Sequence, residues 1–271
     1  MFDTIGYWSE VKLDIVKEYA AAYSKIMTAQ KVPFRHFYID AFAGAGVNIS
    51  KRSGEFVLGS PLNALLVVPP FSAYYLIDID GRKIEFLLDN IKDYNNVSVY
   101  QGDCNILLLE QIFPLVKFED YCRALCLLDP YGLHLNWEVM ETAGKLGTIE
   151  MFLNFPSLDM NRNALWRNPD AADPDQVARM DRFWGDNSWR KAVYDTRNLF
   201  EFENKIDDAN AAVVKAFQNR LKKVAGFSYV PEPIPMRNSI GATVYYLFFA
   251  SQKPAAAEIV KDIFNKYRDY E

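Results

Sequence analysis

The chain has 271 residues, half of them hydrophobic and 15% aromatic, enough to bury a sizeable core and to exclude disorder as its main state. Thirty Lys and Arg against 35 Asp and Glu leave a net charge of −5, which argues against broad, sequence-independent nucleic-acid binding but leaves room for a local groove. The longest apolar run, 242–250 broken only by Thr243, is far short of the roughly 20 residues a membrane span needs. No basic and apolar signal-peptide pattern opens the sequence, and Cys104, Cys122 and Cys126 lack the spacing of a disulfide framework or a zinc site. A reduced, cytoplasmic protein without a membrane partner or a bound metal is expected.

The first helix is predicted from Ser9, as N-cap, to Met27, with Val16, Tyr19, Tyr23, Ile26 and Met27 forming one buried face. Short β-branched and aromatic runs then alternate with helical stretches: strand 37–41, helix 61–68, strand 74–79, helix 81–92, strand 97–100, helix 104–111, strand 123–129, helix 136–144 and strand 149–154. Repeated βα units predict a mostly parallel central sheet with helices on both faces. Runs such as ALCLLD and YYLID suit strands buried on both sides. From Pro156 to about Arg197 the chain turns to Asn, Asp, Arg and Trp with little periodicity, which predicts an insertion or lid, not another layer of core. A helix over 206–225 follows, with Val213, Phe217, Leu221 and Val224 on one stripe and Gly226 as the C′ residue. A Pro-broken segment suited to a sheet edge, an antiparallel strand 243–250 and a helix from Pro254 complete the chain. The division is 1–155 for the N-terminal helix and nucleoside-binding half, 156–200 for the insertion, and 201–271 for the rest of the same α/β domain.

Ligands of open parallel sheets bind beyond the carboxyl ends of the strands. Here those ends read YIDAFAGAG, LIDIDG, GDCN, LLDPYG and LNFPS, so four carry an Asp and the fifth an Asn. The turn Phe42-Ala43-Gly44-Ala45-Gly46 lets backbone approach a ligand, but Ile49 breaks the dinucleotide fingerprint G-x-G-x-x-G, and no Walker loop is present. The next helix begins late, at Ser60 as N-cap and Pro61, after a loop that contains Lys51 and Arg52. A glycine turn followed by an acid at the end of the next strand is a nucleoside-binding arrangement. Asp78 can accept both ribose hydroxyls, with Asp80 as a competitor for that role. Asp103, with Cys104 and Asn105 beside it, is placed to meet an adenine amino group or to act as a helix N-cap. Asp129 at a buried strand end can accept from a substrate amine, Pro130 forces a turn, and Tyr131 can stack on a planar substrate or pack.

The series FAGAG, LIDID, GDCN and DPYG resembles the motifs of class I S-adenosylmethionine-dependent methyltransferases. With GSP and LNFPSLDMNRN added, it resembles more narrowly the three-Cys-motif partner family, across about two thirds of the chain. The resemblance implies an α/β, Rossmann-like methyltransferase fold and S-adenosylmethionine as cofactor. The cofactor side is expected to comprise Asp40, Phe42, Ala43, Gly44, Gly46, Asp78, Asp103 and Cys104. Asp129, Pro130 and Tyr131 form the expected catalytic set, with Asn154 and Arg162 toward substrate. The implied partners are a radical-enzyme-like three-Cys-motif protein, whose cysteines give the family its name, and a nucleic-acid substrate. One departure stands out: enzymes that methylate exocyclic base amines carry Asp or Asn, two prolines and an aromatic, whereas here Tyr131 and Gly132 follow a single proline.

Trp166, Trp184 and Trp189 interleave with Arg162, Arg167, Arg179, Arg182, Arg190 and Arg197, which suggests either a single-strand stacking groove or a lid packed by Trp; seven Asp balance seven basic residues there. His36 reads as structural, and His134 borders DPYG as a packing residue or a base. Two alternatives accompany the methyltransferase reading. One is a catalytically silent S-adenosylmethionine-binding partner. The other is a haloacid-dehalogenase-type phosphohydrolase using the Asp78 and Asp80 pair.

Overall fold

The computed structural model describes residues 2–166, 172–195, 204–205, 209–238 and 241–268. A short strand β1 (Asp3–Ile5) leads into helix α1 (Tyr7–Thr28). The N-cap of α1 is Gly6, so Ser9 lies inside the helix and not at its start. Val16, Tyr19 and Tyr23 are buried as expected, whereas Ile26, near the helix end, is 42% exposed.

Strand β2 (Arg35–Asp40) ends at the glycine turn. Between that turn and helix α2 (Ser60–Leu65), the expected loop instead contains strands β3 (Val47–Ser50) and β4 (Phe56–Leu58). Together with β1 they form a three-stranded sheet in the order β1-β3-β4. The hairpin brings the chain back to where it left, for Gly59 N–H donates to Gly46 O at 2.7 Å. Gly59, not Ser60, is the N-cap residue of α2.

The alternation continues through β5 (Ala73–Asp78), α3 (Gly81–Ile91), β6 (Val97–Gln101), α4 (Cys104–Leu107), β7 (Cys122–Leu128), α5 (Trp137–Leu146) and β8 (Ile149–Phe155). The predicted helix 104–111 is therefore split, with a π-turn at Leu108–Ile112 replacing its second half. Next come α6 (Ser157–Asn163), α7 (Pro174–Trp184), α8 (Arg190–Val193), the short pair β9 (Tyr194–Asp195) and β10 (Asn204–Lys205), and α9 (Ala209–Lys223). Residues 206–208 of the predicted 206–225 helix lie outside the described residues. Gly226 takes φ 89°, and Phe227 N–H closes on Leu221 O, six residues back, as a C′ glycine permits. Val224 leaves the buried stripe and is 43% exposed.

β11 (Ile234–Arg237), β12 (Thr243–Ala250) and α10 (Pro254–Arg268) finish the fold. The central sheet has the order β11-β12-β8-β7-β2-β5-β6. Its five strands from β8 to β6 are mutually parallel, and β12 is antiparallel to both β8 and β11. The Pro-containing β11 lies at the edge, where a missing N–H costs no ladder bond. Side chains of the inner strands alternate between two cores: Ala124, Cys126 and Leu128 face one, while Leu125 and Leu127 face the other. Helices α1, α2, α3 and α10 cover one face and α4, α5, α7 and α9 the opposite face.

The segment after Pro156, expected to add no layer of core, packs into it. Met160, Leu165, Met180, Phe183, Trp184, Trp189 and Val193 are all buried in the α5-side core. Two of the three tryptophans are thus packing groups, and Trp166 alone of them is exposed, at 43%. Arg167 and Arg197 lie outside the described residues.

Candidate functional site

Chain order along the sheet reverses between β2 and β7, so the carboxyl ends of these strands flank the switch-point crevice. On the β5 side lies the glycine turn. Gly44 and Gly46 take φ 62° and 75°, a region that glycine enters without a Cβ penalty. Gly46 is packed tightly, since a Cβ there would come within 2.9 Å of Leu87, whereas one on Gly44 would meet open space. Ala43 is buried in the core, and Phe42 packs partly against the other core, so what these two offer a ligand is main chain.

The carboxylate of Asp78 ties the two strand ends together. Its Oδ2 accepts Gly44 N–H and its Oδ1 accepts Asp80 N–H, each at 2.8 Å, and one lone pair per oxygen remains for a ligand. Asp80 is the N-cap of α3 and accepts Arg82 N–H at 3.0 Å. One of its oxygens is therefore engaged in capping the helix.

Asp103 is likewise an N-cap, of α4, accepting both the N–H and the side-chain amide of Asn105. Asn105 also donates to His134 O at 3.0 Å and accepts Asn136 N–H at 2.7 Å, bridging the third strand end to the DPYG loop. The Cys104 thiol, expected at the cofactor, points into the core; burial and the nearby Asp103 push its pKa up to about 12, so it stays a neutral packing group.

Asp40, also expected to touch cofactor, is fully buried beneath the turn. It accepts Phe42 N–H at 3.2 Å and Tyr38 O–H at 3.4 Å, and Ser60 donates its hydroxyl to it instead of capping α2. Burial drives its carboxyl up to about 7 against the pull of the Ser60 and Phe42 hydrogen bonds, with Asp129 and Asp78 pushing the same way as burial. Asp40 braces the turn from below.

Across the switch point, Asp129 is held by two residues. Lys12 of α1 forms an ion pair with its Oδ2, and Asn154 of β8 donates to its Oδ1 at 2.8 Å. The Lys12 side chain is 9% exposed and lies over the Tyr245 ring, 5.3 Å from its centroid. Burial alone would strip the proton from Lys12, but Asp129, Tyr245 and Asp40 outweigh it and hold the ammonium above its ordinary value. Lys12 is therefore a cation here and not a base. The amide orientation set by Asp129 leaves Asn154 Oδ1 buried without a hydrogen-bond donor from the protein. Such an acceptor costs about 1–3 kcal/mol unless a ligand or solvent N–H or O–H reaches it.

Pro130 is buried, and two residues past Asp129 the Tyr131 side chain stands 85% exposed, so it is not a packing residue. Arg162, on α6, is exposed, with its carbonyl accepting from the Trp166 indole at 2.9 Å. His134 Nε2 lies 3.4 Å from Arg179 Nη2, at the edge of the DPYG loop. His36 sits at the opposite end of β2, bonded to Ser24, and burial lowers its pKa.

No protein-family model and no curated protein matches this sequence. Among solved structures, protein LPL1258 from Legionella pneumophila superposes with a TM-score of 0.54 at 12% identity, over 95% of this chain and 92% of that one. The methyltransferase domain of bacterial CtHen1 matches at a TM-score of 0.42 and 10% identity, over 90% of this chain and 100% of that one. Fibrillarin from Aeropyrum pernix, with natively bound S-adenosyl-L-methionine, gives 0.40 and 11%, over 87% and 76%. The chain is thus a mixed-sheet α/β protein that shares its fold with the Legionella protein over nearly its whole length, and methyltransferase domains are among its structural neighbours.

Proposed function

We propose that the chain is an S-adenosylmethionine-dependent methyltransferase whose acceptor is an amine on a planar group, with the exocyclic amine of a nucleic-acid base as the best-fitting class. The observation that carries this reading is the pairing of two acceptors at the ends of the adjacent strands β7 and β8. Asp129, ion-paired with Lys12, stands beside the undonated Asn154 Oδ1, a pair suited to an NH2 group with two hydrogens to give. Tyr131, exposed next to them, offers the face on which a flat ring can stack. A base within a duplex would have to be flipped out or unpaired to reach them.

The residues at the other side of the switch point fit the cofactor. The Gly44 Cα faces open space, and Asp78 keeps lone pairs for ribose hydroxyls while fixing the turn through Gly44 N–H. When bound, S-adenosylmethionine supplies a methyl group already activated on its sulfonium. What remains for the chain is to orient the amine, exclude water and hold a carboxylate where the amine proton can go. Asp129 meets the last need and Lys12, being charged, does not.

A second reading, a silent cofactor-binding partner of a radical-enzyme-like three-Cys-motif protein, is favoured by the fact that each Asp129 oxygen already has a partner. Calorimetric titration of S-adenosylmethionine and S-adenosylhomocysteine, with NAD and Asp78→Ala as controls, tests the pocket. Saturable binding lost in the variant supports it, and no binding near millimolar ligand refutes it. Methyl transfer to RNA or DNA then separates the enzyme from the silent partner.

A further inference from the structure

The loop from Asp129 to Asn136 is fastened at several points, yet its most prominent side chain is free. At one end Asp129 is tied to Lys12 and Asn154, and at the other Asn105 grips His134 O and Asn136 N–H. The fastening nearest to Tyr131 comes from Asp159 of α6. Its Oδ2 accepts Leu133 N–H at 3.1 Å, and its Oδ1 accepts the Asn163 amide at 2.7 Å. Gly132 makes room for this carboxylate: it takes φ 70°, and a Cβ there would stand 2.6 Å from Asp159 Oδ2. Arg179 of α7 lies 3.7 Å from the same oxygen and 3.4 Å from His134 Nε2, tying a second helix of the post-Pro156 segment to the loop.

We propose that Asp159 is a positioning residue for the acceptor: by clamping the Gly132–Leu133 turn it fixes the backbone that carries the Tyr131 ring, a stacking platform beside Asp129. A loop with an exposed aromatic at its apex would otherwise sample many orientations, and each ordering on binding would cost affinity. Here the backbone under the ring is pre-organised, and a shift of about 1 Å at such a mount can cost on the order of a hundredfold in rate. The segment after Pro156 therefore contributes to the site through α6 and α7, though none of its tryptophans is the platform. This inference rests on the methyltransferase reading for its consequence in turnover, but its structural content can be measured separately.

The test compares Asp159→Ala with Asp159→Asn by two readouts. The first is site-resolved hydrogen exchange, which reports the loop whether or not the protein is an enzyme. The second is transfer of labelled methyl from S-adenosylmethionine to a mixed pool of unmodified single-stranded RNA and DNA oligonucleotides, alongside calorimetry with S-adenosylhomocysteine. Asp159→Ala should speed exchange at Leu133 about tenfold or more while amides of β7 and α5 keep their protection. It should lower transfer about tenfold or more with S-adenosylhomocysteine affinity unchanged. Asp159→Asn should recover most of both, because its carboxamide oxygen still accepts Leu133 N–H once the Asn163 amide turns over. Unchanged exchange at Leu133, loss of protection throughout the domain, or failure of Asp159→Asn to recover either readout overturns the proposal. If the wild-type protein binds cofactor but transfers nothing, the methyltransferase reading fails, and the exchange result alone decides the clamp.

Discussion

Replacing Asp40 by Asn should make the protein more stable at alkaline pH and leave it nearly unchanged at acidic pH. The carboxyl is fully buried and titrates at about 7 in the folded state. In an unfolded chain an aspartate titrates near 3.9. Because the folded value is the higher one, the native state holds a proton that the unfolded state has released anywhere between those two values. Stability from this group is complete below pH ~4, declines as pH rises, and is fully lost a little above pH 7. At about 1.4 kcal/mol per pH unit, the decline amounts to roughly 4 kcal/mol, of which about 3 kcal/mol falls between pH 5 and pH 8. Asparagine is isosteric, can still accept Phe42 N–H, and can donate to the Tyr38 oxygen that now donates to Asp40. Urea denaturation of both proteins from pH 5 to pH 8 should therefore show a stability difference that widens in favour of Asp40→Asn. A difference independent of pH would refute the burial of an ionisable carboxyl beneath the glycine turn.

Removing the cation in Lys12→Met should destabilise the protein by about 2 kcal/mol, below the roughly 3–5 kcal/mol of breaking a fully buried pair because Asp129 is partly exposed and keeps Asn154. Adding Asp129→Asn should restore much of that loss, as read from denaturation midpoints. Gly46→Ala should cost more than Gly44→Ala: both positions carry the left-handed backbone penalty of about 1 kcal/mol, but only at Gly46 does the new Cβ collide, with Leu87. Calorimetry should find the reverse order of harm relative to stability for S-adenosylmethionine, because the Gly44 Cβ projects into the open crevice. Asp80→Ala should lose the cap of α3 and lower the denaturation midpoint slightly with cofactor affinity unchanged, a result that Asp78→Ala should invert.

The strand ends were legible because a parallel strand buried on both faces is a block of apolar residues, and its end is marked by the first acid or glycine. Asp40, Asp78 and Asp129 carry that mark, and Asn154 is the polar residue near the end of β8. The mark does not say which way a side chain turns. Asp40 is the last residue of β2 and faces inward, whereas Asp129 is one residue beyond the end of β7 and is reachable. Asp80 and Asp103 sit one step before a helix, where capping takes the carboxylate. The strands β1, β3 and β4, three or four residues each, are too short to show an alternation and look in the sequence like part of an end or a loop.

Two omissions have different causes. Val177, Met180, Phe183 and Trp184 follow helical spacing, so the buried face of α7 was present in the sequence, masked by the Asp and Arg residues of its other face. Lys12 carried no such signal. It lies 117 residues from Asp129, on a helix where a lysine is ordinarily solvated, and only the packing of α1 across the strand ends turns it inward. A carboxylate at a strand end asks for a counter-charge, but the sequence offers 30 basic residues as candidates and no rule to choose among them. That selection is made by the tertiary fold. The residue that pairs with Asp129 therefore belongs to the part of a site that the sequence pattern marks least, although it holds one of the two carboxylate oxygens.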